Sequence, residues 1–493
     1  MRQIWTAKEL KEADAQTMQM GLASPVLMER AALAVVHVMQ EEGLDLTNIA
    51  VVCGTGNNGG DGIAIARIVA EMGFRPTVLT AGDPSRYTEE RRMQEQILRH
   101  YDAEILPADR ISSLENKSLI VDALFGIGLS SPVRKEYETL IRKINDARLP
   151  VVSVDIPSGI HTDTGAVLGC AVKASHTVSF SGIKAGLLLY PGKNYAGKVH
   201  VRKIGIRMPD KAAEDRYLQA EEQDLRLLPE RDEAGNKGTF GKVLVIAGSH
   251  TVCGAAILSG KACLRSGAGM VRIYTEEANR IPVAASFPEA LIDTYTEGNW
   301  SAGKLDTALA WADAVLIGPG IGTEKTAEAI LDHVLMHTAL PLVMDADALN
   351  LLRGDPAKVR NYPGPCVLTP HVMEMSRLSG LSCEEIKQDP KAAAQKIAEQ
   401  SGAIVILKDA VTMIAAPEGP VCLYAEGGSE LATAGSGDVL AGIVVSLAAQ
   451  CPDNLFRDAV LAVCLHGYSG KKAAECLSKA AVTAGDLTAH LAF

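Results

Sequence analysis

The chain predicts an α/β protein built as two successive units, and three observations carry that expectation. Short apolar runs of strand length recur along the 493 residues. Longer segments with helical periodicity separate most of them, the pattern of a parallel sheet covered by helices on both faces. The alternation breaks once, between Pro209 and Asn236, where charged residues crowd together and Pro229 and Gly235 interrupt the chain. A composition shift of that kind marks a domain boundary.

Two helical segments, 6–20 and 25–40, come first. The apolar face of the second suits packing on a sheet or on another subunit, and the pattern does not choose between them. Strand-like runs follow at 49–53, 77–80, 119–124, 151–156, 177–181 and 199–204, with helical patterns at 62–72, 85–101 and 135–147. The stretch 209–235 reads as a solvated, charged connector. Beyond it, strand-like runs stand at 243–247, 271–274, 314–317, 342–344, 366–368, 404–407 and 412–415, and helical patterns at 255–266, 392–400 and 437–449.

Composition excludes several classes. A hydrophobic fraction of 47% with 22% charged residues is ordinary for a soluble globular protein. No apolar run reaches membrane-span length, and the first residues lack the apolar core of a signal peptide, so a cytoplasmic protein without a membrane partner is expected. A net charge of −11 argues against a nucleic-acid surface. The ten cysteines are scattered without a CxxC pair, which predicts reduced, buried thiols and neither a zinc site nor a disulfide frame.

The richest motif is Gly54-Thr55-Gly56-Asn57-Asn58-Gly59-Gly60-Asp61-Gly62, directly after the first strand-like run. Glycines let backbone N–H groups approach an anion, and a following helix adds its positive end. A purely structural turn is the competing account of any such loop. Two amides and an aspartate add polar ligands, and the lack of a lysine excludes a Walker A loop. Val121-Asp122-Ala123-Leu124-Phe125-Gly126-Ile127-Gly128-Leu129 and Val154-Asp155-Ile156-Pro157-Ser158-Gly159 place aspartates at the ends of two further strands. Each alone could cap a turn. Together the three loops converge on the carboxyl edge of one sheet, where ligands of such folds bind. Asn58, Asp122 and Ser158 offer only oxygen donors of low total charge, suited to a hard, weakly charged cation.

These three motifs resemble the epimerase domain of NAD(P)H-hydrate (NAD(P)HX) repair enzymes over residues 1–208. The resemblance implies a Rossmann-like αβα sandwich that interconverts R- and S-NADHX and NADPHX. It implies potassium held by Asn58, Asp122 and Ser158. It places substrate against Asn57, Asn58, Gly59, Gly60, Asp61, Gly126, Ile127, Gly128, Leu129, Ser130, Ser131, Pro132 and Asp155. Asp155 is the expected acid/base group, because a carboxylate beside the reacting ring can move a proton.

In the second half, Ala432-Thr433-Ala434-Gly435-Ser436-Gly437-Asp438 turns tightly into a helical pattern. Small residues there expose N–H groups as an anion hole, and Asp438 is placed to take a proton from an attacking hydroxyl. An N-capped helix whose first-turn carboxylate offsets the dipole is the plainer account. The loop resembles those of ribokinase-like kinases. Asn236-Lys237-Gly238-Thr239-Phe240-Gly241-Lys242, Ile317-Gly318-Pro319-Gly320-Ile321-Gly322, Met344-Asp345-Ala346-Asp347, Leu368-Thr369-Pro370-His371 and Leu407-Lys408-Asp409-Ala410-Val411-Thr412 narrow the resemblance to the NAD(P)HX dehydratase domain, over about residues 220–493.

That resemblance implies phosphorylation of the C6 hydroxyl of the S epimer by ADP with Mg2+, then loss of phosphate to restore NAD(P)H, with AMP released. It implies nucleotide contacts from Lys408, Asp409, Ala410, Val411, Thr412 and Gly437. It implies hydrate contacts from Ala255, Gly320, His371 and Asp438, with Asp438 as base. His371 could instead cap the next helix. Asp345 and Asp347 could reach magnesium through water or merely cap loops, and are left out of the expected site. Met373 and Asp409 stand where the family often has glycine, without removing a named chemical group. A homo-oligomer is expected. The competing readings are a small-molecule kinase fused to a nucleotide-binding module, a first unit that only binds ligands or partners, and a dinucleotide dehydrogenase. The last lacks a clear acidic ribose partner after the second strand, where only Asp83 stands.

Overall fold

The computed structural model describes residues 1–451 and 453–491. It divides into two compact units: Gln3–Lys211, and Met1–Arg2 together with the chain from Ala212 onward.

The first unit holds a seven-stranded, wholly parallel sheet. From edge to edge its strands are Glu104–Pro107, Thr77–Thr80, Ile49–Cys53, Leu119–Ala123, Val151–Val154, His176–Phe180 and Lys198–Arg202. Ile49–Cys53 is buried at every position, as a central parallel strand must be. The chain winds outward from it in one direction, then returns to its other side at Leu119–Ala123. That reversal opens a crevice at the carboxyl ends of these two strands. Separate apolar clusters cover the two faces, one joining Val35, Val51, Ile63 and Val121, the other Val52, Leu79, Ile120 and Leu140.

The second sheet runs Tyr217–Ala220, Val421–Tyr424, Thr412–Ala415, Ile404–Leu407, Cys366–Leu368, Leu342–Met344, Ala314–Ile317, Lys242–Ile246, Met270–Glu276 and Leu291–Tyr295. Among these only Thr412–Ala415 is reversed, pairing antiparallel with both neighbours. Lys242–Ile246 lies between Met270–Glu276 and Ala314–Ile317, so this sheet also has a switch point. Helix Ser436–Gln450 is buried on nearly all sides and crosses helix Gly254–Arg265 at Gly442. A Cβ at Gly442 would stand 2.4 Å from the Ser259 carbonyl oxygen, so only glycine permits this approach.

The α/β expectation holds in both units, with three corrections. The motif at 54–62 is not a loop throughout. Gly56 caps a helix, Asn57–Glu71, whose first two turns contain the asparagines and glycines. The segment 209–235 is not wholly a solvated connector: Tyr217–Ala220 is a buried strand, and buried Asp224 accepts the Met1 ammonium and the Glu221 N–H. Edge strands Glu104–Pro107 and Leu291–Tyr295 and the hairpin strand Val421–Tyr424 also escaped the periodicity. All ten cysteines are free; Cys53, Cys263, Cys366, Cys422 and Cys464 are buried, whereas Cys476 is exposed. Among the described residues no helix is long and apolar enough to cross a membrane.

Candidate functional site

A cavity of about 490 Å³ opens at the switch point of the first unit. Asn57, Asn58 and Asp61 reach its wall from the first turns of helix Asn57–Glu71, and Gly126, Ile127, Gly128 and Leu129 from the loop after Leu119–Ala123. Leu10, Lys11 and Asp14 line it from helix Ala7–Gln19, and Leu27, Met28 and Ala31 from helix Ser24–Glu41. Phe180, Ile204 and Ile206 complete an apolar side.

Asp155 and Lys184 share the wall of this cavity. The Lys184 ammonium is fully buried and donates to Asp155 Oδ1 at 2.6 Å and to Ser179 Oγ at 2.8 Å. The Phe180 N–H donates to the same Asp155 oxygen at 3.0 Å, so Oδ2 is the oxygen left for chemistry. Asp155 sits at φ 70° in the cavity wall, and Ser181, next in chain to the wall residue Phe180, at φ 58°. Such strain persists only where the surroundings enforce it, and it gathers at functional sites. Burial, then the charges of Asp155 and Asp14, push Asp61 well above the usual carboxylate range. Burial and the Asp155 charge also raise Asp14. The cavity therefore sets a lysine-paired carboxylate against two that favour their protons.

Behind the wall, Asp122 is fully buried. Its carboxylate accepts from Ser153 Oγ at 2.8 Å, Ser158 N at 2.9 Å and Ser158 Oγ at 2.6 Å. Burial still holds its carboxyl above the ordinary range, against those hydrogen bonds. Ser158 Oγ also accepts from the Phe125 N–H at 2.9 Å. A Cβ at Gly126, the next residue, would stand 3.3 Å from Asn58 Oδ1. Asn58 and Ser158 thus both border the 124–126 turn. Asn58 Nδ2 is buried without a partner among the described residues, so the amide has bonding capacity left over. A carboxylate, an amide and a hydroxyl are oxygen donors of a kind that fits a monovalent hard cation better than zinc or copper.

In the second unit Gly435, at φ 85°, makes the turn into helix Ser436–Gln450. Asp438 stands in its first turn. Lys408 Nζ donates to Asp345 Oδ1 at 2.7 Å, and Thr369 Oγ1 to the same oxygen at 2.6 Å. A Cβ at Gly437 would lie 3.2 Å from Lys408 Nζ and 4.0 Å from Asp345 Oδ2, so the lysine and the second carboxylate oxygen face this turn. Burial, then the charge of Asp345, pushes the Asp438 carboxyl up to about 7, with Lys408 opposing. Burial works against the Lys408 charge, but Asp345 and Glu374 outweigh it and raise its pKa. Ser436 Oγ meets His466 Nε2 at 3.0 Å, and burial brings that imidazole down to about 4, keeping it neutral near pH 7.

Many of the expected residues therefore come together. Asn57, Asn58, Asp61, Asp155 and Gly126 to Leu129 wall one cavity. Gly59 and Gly60 lie behind it, packed against the Gly54 carbonyl and Met28, and Ser130, Ser131 and Pro132 are exposed beyond its rim. Lys408 meets Gly437 and, through charge, Asp438. A Cβ at Gly320 would stand 3.2 Å from that of Ala255, and His371 bridges to Lys408 along the backbone. Asp409, Ala410, Val411 and Thr412 follow Lys408 into the antiparallel hairpin. The His371 ring does cap a helix: Nδ1 accepts from Met373 N at 3.1 Å and Glu374 N at 3.3 Å. Its Nε2 lies 3.3 Å from Glu374 Oε1. Two residues were missed. Asp345, set aside as a loop cap, is the partner of Lys408. Lys184 carried no signal beyond being a lysine within an apolar stretch.

Comparison with known proteins also divides the chain in two. The NAD(P)H-hydrate dehydratase family model matches residues 243–492, and that of the YjeF-related protein N-terminus matches residues 24–186. A bifunctional NAD(P)H-hydrate repair enzyme of Thermofilum pendens is 36% identical over 92% of this chain and 88% of its own. The one from Escherichia coli is 34% identical over 91% and 85%. A crystal structure of the ADP/ATP-dependent NAD(P)H-hydrate dehydratase from Bacillus subtilis, co-crystallised with ATP and Mg2+, is 30% identical, covering 56% of this chain and 96% of that one, with a TM-score of 0.49. Two α/β units, each with a carboxylate–lysine pair beyond the carboxyl ends of its parallel strands, and matches to bifunctional enzymes along most of the chain mark a two-domain enzyme. The chain belongs to the family of bifunctional NAD(P)H-hydrate repair enzymes.

Proposed function

We propose that the cavity of residues 1–208 epimerises R- and S-NAD(P)HX, and that the Asp438 site of residues 220–493 dehydrates the S epimer at the expense of ADP. The observation that carries the first half is the Asp155–Lys184 pair facing a proton-retaining Asp61 across one cavity. The C6 hydroxyl of the hydrate sits beside the ring nitrogen. If one carboxyl protonates that hydroxyl, the C6–O bond breaks as the N1 lone pair forms a C=N bond. Water then adds to the opposite face of C6 and gives its proton to a carboxylate. Asp61, which favours its proton, suits the acid, and Asp155, held by Lys184, suits the base. Asn57 and the 126–129 backbone line the substrate, and the apolar wall limits competing water. Asn58, Asp122 and Ser158 would hold potassium; when bound, that cation supplies positive charge near the dinucleotide.

In the second unit Asp438 takes the proton of the C6 hydroxyl as its oxygen attacks the terminal phosphoryl group of ADP. The phosphorus–oxygen bond to AMP breaks. Phosphate then leaves C6 with the bonding pair, the N1 lone pair compensates, and loss of a proton from C5 restores the dihydropyridine. Lys408 and the N–H groups of the 435–437 turn are placed to stabilise phosphoryl charge. Asp345, whose Oδ2 faces Gly437, and Asp347 are the side chains that would meet magnesium, which when bound neutralises phosphate charge. Ala255 and Gly320 leave room for the hydrate, and His371 presents Nε2 beside the hairpin that would hold the nucleotide.

The test is to incubate the protein with mixed R- and S-NADHX, KCl, MgCl2 and either ADP or ATP, following NADH absorbance. Recovery of both epimers with ADP supports both halves. Recovery of the S fraction alone removes the epimerase half, and recovery independent of nucleotide removes the dehydratase half.

A further inference from the structure

Far from the cavity, the last turn of helix Ser24–Glu41 meets the end of the first sheet. Glu42 caps that helix. His176 opens one strand and His200 lies within the neighbouring edge strand, where the parallel register pairs His176 with Lys198 and Val178 with His200. Residues two apart on a strand share a face, so His176, Lys198 and His200 all point to the side carrying Glu42. His176 Nδ1 stands 3.2 Å from His200 Nε2. The Glu42 carboxylate oxygens lie 4.0 Å from the first and 3.9 Å from the second. His200 is buried and the other two are half-buried.

We propose that Glu42, His176 and His200 form a binding site for a divalent transition metal of the zinc class, with three protein ligands and one position open to water. In a tetrahedral zinc site with bonds near 2.0–2.1 Å, neighbouring ligand atoms lie about 3.3 Å apart. The two ring nitrogens already have that spacing, and the carboxylate must close by roughly 0.6 Å, within reach of one rotamer adjustment. Two imidazoles and a carboxylate select zinc-like ions over calcium or magnesium, which prefer oxygen alone.

A plain alternative uses the same atoms: a histidine–histidine hydrogen bond beside an ion pair, since Lys198 Nζ donates to Glu42 Oε1 at 2.7 Å and to Oε2 at 3.0 Å. Lys198 is 63% exposed, so it can swing away and yield the carboxylate to a metal. The metal would clip the end of the helix to the edge strand. The first turns of that same helix supply Leu27, Met28 and Ala31 to the cavity wall. Occupancy would therefore brace the wall from its far end without touching substrate.

The experiment is calorimetric titration of the chelator-stripped full chain with ZnCl2, with thermal melting in parallel. One equivalent should bind and raise the melting temperature. His176→Ala and His200→Ala should each weaken binding by about 100-fold, at or beyond the largest losses seen on removing outer-shell partners. Background binding by cysteines such as Cys476 stays the same in every variant. Zinc binding that is equal in the wild type and in the double histidine variant overturns the site. Should the histidine variants fail to fold, exposed Lys198→Met decides: tighter zinc binding supports the site, and unchanged or weaker binding overturns it.

Discussion

The proposed mechanism asks the same of both sites, a carboxylate that moves a proton, and the two hold that carboxylate in opposite ways. In the first unit the lysine grips the proposed proton carrier itself, Asp155, at 2.6 Å. In the second it grips a neighbour, Asp345, at 2.7 Å, and acts on Asp438 through charge. The lysine-bound carboxylate offers its remaining oxygen, Oδ2, from a fixed position. An unpaired, buried one beside another negative charge rises to about 7, where it can both take and return a proton. The position of one ammonium thus leaves Asp438 a tunable base.

The sharpest break in this comparison is Asp438→Asn. Losing a general base costs roughly 10²–10⁴-fold, so nucleotide-dependent NADH recovery should fall to background while R-to-S exchange persists. Recovery within tenfold of wild type would remove Asp438 from the chemistry. The same variant should gain stability at pH 8. Folding raises this carboxyl from 3.8 to about 7, so it costs the fold stability as pH climbs through that window, and the amide carries no such cost. In a unit of this size each kcal/mol gained shifts melting by about 2–4 °C.

Next in size is the first site. Asp155→Asn and Lys184→Met should each slow conversion of the R fraction by about 10²-fold or more and leave S recovery untouched. Each also leaves a partner of the buried pair uncompensated, so each should lower the melting temperature. The double variant should regain stability but not exchange. Regained exchange would demote the pair to a structural role.

The tunable base makes a smaller prediction. Nucleotide-dependent turnover should rise with pH through about 7. Asp345→Asn removes the like charge that helps hold Asp438 up, so the midpoint should move to lower pH. An unmoved midpoint would assign the titration to another group.

How much of this was legible depends on whether neighbours in space were neighbours in sequence. Asn57, Asn58 and Asp61 sit on one short motif, and Asp438 on another, so both sites could be found from their loops. Lys184 lies 29 residues beyond Asp155 and reaches it only because adjacent parallel strands bring the two together. Asp345 and Lys408 are 63 residues apart, joined through the central strands of the second sheet. Tyr217–Ala220 was hidden because charges flank it on both sides. The start of helix Asn57–Glu71 was hidden because Asn and Gly form helices poorly, and packing overrides that propensity there.

That override yields the finest distinction, between two adjacent glycines. A Cβ at Gly59 would stand 2.2 Å from the Gly54 carbonyl oxygen, backbone that cannot yield without moving the loop. A Cβ at Gly60 would meet Met28 Cε at 2.6 Å, the end of a flexible side chain that can turn aside. Gly59→Ala should therefore displace Asn57 and Asn58 and lower R-epimer exchange by roughly tenfold or more, since small misplacements of positioning groups are costly. Gly60→Ala should raise KM a few-fold at most, because Met28 lines the same cavity. Equal effects of the two substitutions would mean that helix propensity, and not the close approach to Gly54, accounts for the glycines here.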